Sequence, residues 1–326
     1  MSGAKFEREV SESDPLTIWF GPRTAAHIRA VERQIRAHLV GEHSLRSDGV
    51  RLDKISGIAS TFYVALFSVC RALASRYLSS NPTWLRYPKS GERKAKSSMA
   101  YIHKSMLESI SAMSSALLMN RRHGDPSRAP SNTMAADSTS YRFKANSIDF
   151  ILTSPPYCTR IDYTAATRIE LAVLDPLLKG EPEELRRSML GSTLAPKHRI
   201  EVASDWGEGA TAFLAALRSH PSKASQGYYY RTHIDYFDKL GRSLSNLSMA
   251  LKRESSAIFV VQDSYYKDLH NDLPRIISEM CAIRGMPLKR RVDFPLKRSM
   301  FRINPHRQSY ERPAAPVEAV LCFERS

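Results

Sequence analysis

The sequence predicts an α/β fold with a helical N-terminal region. Three observations lead there. Apolar residues recur every three or four positions through much of the first 130 residues, a β-patterned run Ser147–Thr153 stops at two prolines, and helices then alternate with strands up to two closing strands. The expected organisation is a helical region over 1–130 and an α/β region over 131–326 with a helical insertion at about 180–230.

The first helix is expected over Thr24–Val40, where Ile28, Val31, Ile35 and Leu39 form one stripe between arginines and glutamates. A second runs from Ile55 to Tyr77, apolar on most sides, and stops at Ser79-Ser80-Asn81-Pro82 because proline cannot continue it. A basic loop, Arg86–Lys96, precedes a Met- and Ser-rich helix from Ala100 to Met119, and Arg121–Asn132 reads as a linker. A short strand is expected at Thr133–Ala136 and a clear one at Ser147–Thr153. Helices follow at Ala165–Leu178, Ala210–Arg218 and Tyr236–Leu251, then a buried-type strand Ala257–Gln262 and a helix Leu269–Arg284. Strands at Arg291–Leu296 and Val317–Glu324 close the pattern.

The chain has 326 residues, 48 Lys and Arg against 33 Asp and Glu, and a net charge of +15, with 42% hydrophobic residues, which supports a folded protein with a polyanionic partner, nucleic acid first among them. Cys70, Cys158, Cys281 and Cys322 are widely spaced, so neither a metal site nor a disulfide framework is signalled, and a reducing cytoplasm fits. The run Thr61–Cys70 falls short of the roughly 20 apolar residues a membrane span needs. A soluble, unexported protein is expected.

The residues that carry chemistry are Thr153-Ser154-Pro155-Pro156-Tyr157. In open α/β sheets, ligands sit beyond the carboxyl ends of strands, and the strand Ser147–Thr153 delivers this turn at such an end. Consecutive prolines make a rigid turn, serine supplies a small polar group and tyrosine a flat ring. Together these suit an exocyclic amino group of a base. Its N–H groups would bond Ser154 Oγ and the Pro155 carbonyl, drawing its delocalised lone pair toward an electrophile, while Tyr157 stacks on the extruded base.

These residues resemble the catalytic signature of S-adenosylmethionine-dependent DNA amino-methyltransferases, and the serine form is similar to their cytosine-N4 branch. Arg160-Ile161-Asp162-Tyr163 with Glu170-Leu171, Asn81-Pro82-Thr83-Trp84, and Ser222–Ser225 with Tyr228–Tyr230 are similar to a subgroup of bacterial site-specific methylases. The strands Ala257–Gln262 and Glu318–Phe323 resemble those after the catalytic one. The resemblance implies a Rossmann-like sheet, transfer of a methyl group to a flipped base of double-stranded DNA, and Ser154, Pro155, Pro156 and Tyr157 as catalytic residues. It places Asp137 near the active site, and Asp137 and Thr153 are the candidate cofactor-binding residues, although a turn-capping Asp137 is an equal reading. Adenine N6 as target and a non-catalytic DNA-binding subunit remain open alternatives.

The Gly-rich cofactor turn of that family has no match upstream of Ser154. Asp205-Trp206-Gly207-Glu208-Gly209-Ala210-Thr211 imitates it downstream, but reads better as a helix start. The expectation is therefore an incomplete Rossmann-like sheet and a split enzyme, with a second polypeptide carrying the cofactor-binding half and the helical 1–130 serving docking or target recognition. Cys158 follows Tyr157 rather than proline, unlike a cytosine-C5 nucleophile. Lys289–Arg312 contains eight basic and two acidic residues with Phe294, Phe301 and Tyr310 between them, so Arg290, Arg291, Lys297, Arg298, Arg302 and Arg307 are the candidate DNA contacts.

Overall fold

A computed structural model describes residues 10–40, 45–46, 49–50, 55–79, 84–122, 131–156, 158, 163–178, 182–295 and 317–326. The chain divides into two compact units, one of Met1–Ala135 with Tyr163–Glu181 and one of Ala136–Asp162 with Pro182–Ser326. The helical unit thus extends past residue 130 and takes in a segment expected to belong to the α/β region.

In the helical unit, α1 (Pro22–Leu39) begins on a proline whose missing N–H is not needed in a first turn. A two-residue antiparallel pair, β1 (Leu45–Arg46) and β2 (Gly49–Val50), precedes α2 (Gly57–Leu73). The N-terminus of α2 is capped by Ser56, whose Oγ accepts from the Ala59 amide at 3.1 Å. The long helix α3 spans Met99–Arg122. The helix expected over Ala165–Leu178 is instead two pieces, α4 (Tyr163–Ala166) and α5 (Arg168–Leu174), the second ending two residues ahead of Pro176, which has no N–H to offer the Ala172 carbonyl. Ile28, Leu66, Ile102 and Ile169 share the core. Arg29 is buried yet satisfied: it pairs with Asp14 at 2.6 Å and donates to the Ala172 and Val173 carbonyls at the end of α5, both at 2.6 Å.

The second unit carries β3 (Ile148–Thr153), α6 (Pro182–Ser188), α7 (Gly207–Ser219), α8 (Tyr230–Ala250), β4 (Leu251–Gln262), β5 (Ser264–Tyr266), β6 (Leu269–Asn271), α9 (Leu273–Ile283), β7 (Leu288–Pro295) and β8 (Val317–Glu324). Its main sheet runs β3-β4-β8-β7, with β3 parallel to β4 and the other pairs antiparallel, a partly parallel sheet in a mixed α/β unit. One face is dry. Ile151, Ala257, Phe259, Val261, Ala319, Leu321 and Phe323 lie in one core with residues of α7, α8 and α9. The other face is only partly covered, and on β3 it leaves Phe150 52% and Leu152 68% exposed.

Three further expectations need correction. Thr133–Ala136 has no regular structure. The helix expected from Leu269 starts at Leu273, because Leu269–Asn271 pairs with Ser264–Tyr266 as a hairpin and Asp272 then caps the helix, its Oδ1 accepting from the Arg275 amide at 3.1 Å. Tyr236 is not a helix start, since α8 begins a turn and a half earlier at Tyr230.

Candidate active site

Strand β3 enters from a tight turn in which Asn146 has φ 52°, with the Asn146 and Ser147 amides bonded to the Met249 and Ala250 carbonyls at 3.0 and 2.8 Å. Its register against β4, Ile151 beside Ala257 and Thr153 beside Phe259, sends Ile151 into the core and leaves Thr153 half-buried at the strand's carboxyl end. The chain then turns through exposed Ser154 and half-buried Pro155 and Pro156, and Cys158 is again buried, in the same core as Ile151. The turn is fixed at both ends by burial.

It is also fixed from below. Tyr236 is wholly buried, and its hydroxyl donates to the Pro156 carbonyl at 2.8 Å. Seven residues along α8, Ser243 Oγ lies 2.9 Å from Ser138 Oγ, and the Asn246 side-chain amide donates to the Ser138 carbonyl at 2.8 Å. A spacing of seven returns to one face of a helix after about 10 Å of rise. A single stripe of α8 thus holds both the Ser-Pro-Pro turn and the segment containing Asp137. Sequence reasoning passed over Tyr236, Ser243 and Asn246; the signal was the seven-residue spacing of two polar groups on an otherwise buried helix.

Asp137 closes a turn of its own. Its Oδ1 accepts from the Thr139 amide and hydroxyl, each at 2.8 Å, and its carbonyl from the Tyr141 amide at 2.7 Å. Asp235, beside Tyr236, has its carboxyl raised by burial, with Lys239 2.8 Å away pulling the other way. Lys239 also donates to the Arg187 carbonyl at 2.5 Å, joining the end of α6 to α8.

The glycine-rich segment after Asp205 does not fit a cofactor. Gly207 opens α7 with φ 83°, and the Gly209 amide donates to Glu279 Oε2 at 2.7 Å. A Cβ on Gly207 would lie 2.6 Å from that oxygen. The glycines make room for an internal carboxylate, and this segment therefore offers a methyl donor no cradle. Cys158 is packed in the core, away from the solvent a nucleophile would need.

Of the candidate DNA contacts, Arg290 and Arg291 lie on β7, the last strand of the sheet among the described residues, rather than in a loop, both exposed, with Arg291 Nε donating to Asp293 at 2.7 Å. Tyr157, Lys297, Arg298, Arg302 and Arg307 lie outside the described residues. Among the described residues no cluster of three metal-ligating side chains occurs, and no helix is long and apolar enough to cross a membrane.

No protein-family model matches the chain. It is similar to the type II methyltransferase M.BsoBI of Geobacillus stearothermophilus, 39% identical over 61 residues, and to M.AvaI of Nostoc, 40% over 68 residues. These stretches make up 19% and 20% of this chain but 12% and 13% of the relatives, so the chain matches about an eighth of their length. Among solved structures, a DNA modification methylase from Thermus thermophilus aligns over 35% of this chain and 50% of that one, at 14% identity and a TM-score of 0.24. The sequence similarity is to DNA methyltransferases of type II; it is local.

Proposed function

We propose that this chain is one subunit of a site-specific DNA methyltransferase and transfers a methyl group from S-adenosylmethionine to the exocyclic amine of a flipped base, cytosine N4, within a cytoplasmic restriction-modification system. The observation that carries the reading is the Ser154-Pro155-Pro156 turn at the carboxyl end of a strand parallel to its neighbour, its last carbonyl held by buried Tyr236. With Pro156 so engaged, the exposed Ser154 hydroxyl and the Pro155 carbonyl are the acceptors for the two amine hydrogens, and Tyr157 stacks on the base. When bound, S-adenosylmethionine supplies an electrophilic methyl carbon. This chain's residues would orient the amine lone pair toward that carbon, so that an N–C bond replaces the donor's S–C bond, S-adenosylhomocysteine leaves and one amine proton passes to solvent.

We read the four-stranded sheet as part of an incomplete Rossmann-like sheet, with a second polypeptide adding the cofactor-binding part along β3. Two observations support this. Among the described residues β3 pairs with β4 alone while exposing Phe150 and Leu152, and the glycine-rich segment is filled by Glu279. Asp137 and Thr153 then face the cofactor, and Arg290, Arg291, Lys297, Arg298, Arg302 and Arg307 hold the DNA backbone.

Mass spectrometry of nucleosides from DNA treated with the chain plus the product of the neighbouring gene tests the reaction. N4-methylcytosine is expected, and Tyr157→Ala should abolish it without changing the unfolding midpoint. N6-methyladenine would overturn the choice of base, and absence of both would overturn the enzyme. Calorimetry tests the division of labour: heat on adding S-adenosylmethionine is expected from the mixture and not from the chain alone.

A further inference from the structure

Beside α7 and α8 lies a cleft of about 650 Å³ whose walls are supplied by the segment before α7, the end of α7 and the start of α8. Lys197, Arg199, Arg218 and Arg231 line it against a single carboxylate, Glu201, and every one of these residues is exposed. Arg218 lies over the ring of Tyr230, 5.5 Å from its centroid, and Arg231 donates to the Pro196 carbonyl, so two of the cations are held at the cleft rather than swinging freely in solvent. Four cations with one counter-charge on a shared concave surface repel one another in the empty protein, and an anion with repeated charges relieves this.

The cleft shares its helix with the candidate active site. Arg231 and Ile234 line the cleft, and Tyr236, two residues on, holds the Pro156 carbonyl. At 100° per residue, Ile234 and Tyr236 project from nearly opposite sides of α8, a cylinder about 10–12 Å across. A ligand in the cleft is therefore not the reacting base: it lies across α8 from the turn that Tyr236 holds. Resting on the methyltransferase reading, we propose that this cleft binds the phosphodiester backbone of the same double-stranded DNA whose base is drawn to Ser154, with Lys197, Arg199 and Arg218 as its phosphate contacts.

The test is the salt dependence of binding by the full chain to a fluorescent 20-base-pair duplex, measured by anisotropy. Lys197→Gln/Arg199→Gln/Arg218→Gln should weaken binding by roughly tenfold or more and flatten the slope of log affinity against log salt by about one per cation removed. Lys252→Gln/Arg253→Gln, exposed at the start of β4 and not lining the cleft, should leave both nearly unchanged. Thermal unfolding of the triple variant should match the wild type, since its three sites are exposed. An unchanged slope in the triple variant overturns the cleft. So does competition by inorganic phosphate, or by polyglutamate of matched charge, that equals the duplex at constant ionic strength, because the site would then be one for small anions or acidic protein. Loss of methylation by Tyr157→Ala with cleft-dependent binding intact upholds both readings. Cleft-dependent binding with no methylation by the wild type and its partner overturns the enzyme and leaves the cleft standing; a wild-type chain that holds no duplex at low salt overturns both.

Discussion

Tyr236 has two tasks that its single hydroxyl joins. Its ring fills the core between Pro156 and α8, and its oxygen satisfies a carbonyl that a proline-rich turn cannot pair with its own amides. Tyr236→Phe keeps the ring and strands that carbonyl, which should cost about 1–2 kcal/mol in urea unfolding. Because the turn loses its fixed geometry, methylation should fall further than stability does; equal activity would show that Pro156 needs no anchor. A second buried polar group lies in the helical unit. Glu32 receives the Tyr63 hydroxyl at 3.3 Å and Arg36 Nε at 3.2 Å on one oxygen, while Oε2 has no partner among the described residues. Burial raises its carboxyl above the ordinary 4.5 despite Arg36 and Arg29. A folded-state value above the unfolded one means that the contribution is whole at acid pH and is lost as pH rises through the folded value. Glu32→Gln should therefore raise the urea midpoint relative to wild type at pH 8, with the gap closing toward pH 4. A lower midpoint at both would show that the Tyr63 and Arg36 bonds outweigh burial.

Elements whose signal is local were legible in the sequence. Thr24–Val40 reads as a helix from its stripe, and β8 was delimited to the residue because Ala319, Leu321 and Phe323 alternate with less buried neighbours. The candidate turn was legible for a similar reason, as two prolines after an apolar run leave the chain no other course. What the sequence hid depended on partners outside the segment itself, near or far along the chain. Leu269–Asn271 looks helical until Ser264–Tyr266 is there to pair with it, and Arg284 stabilises a helix end only once Asp205 lies 2.5 Å from it. The glycines of α7 show the same dependence. Gly207 and Gly209 imitate a cofactor turn, yet their neighbour is Glu279 on α9. Gly207→Ala adds a Cβ at positive φ and drives it against Glu279, and should cost about 2 kcal/mol or more. Adding Glu279→Ala should recover part of that loss, a coupling of at least about 0.5 kcal/mol in a double-mutant cycle. Strict additivity would mean that the φ angle alone sets the cost.

At the scale of the whole molecule, the +15 charge and the partly covered sheet bear separately on the two proposed partners. The charge suits DNA, and the apolar side of β3 suits protein, since Phe150 and Leu152 gain by leaving water and repel nothing in doing so. A parallel strand is normally covered on both faces and paired on both edges, and β3 has one covered face and one described neighbour. Leu152→Lys separates the chain's own stability from its assembly. Leu152 is 68% exposed, so the substitution should move the unfolding midpoint of the isolated chain by no more than about 0.5 kcal/mol. Within the proposed complex the same lysine would be buried without a counter-charge, at a cost of several kcal/mol. Methylation by the mixture, and the heat of S-adenosylmethionine binding that only the mixture is expected to give, should both disappear while duplex binding by the chain alone persists. If the variant assembles and methylates like the wild type, β3 is not where the second polypeptide joins.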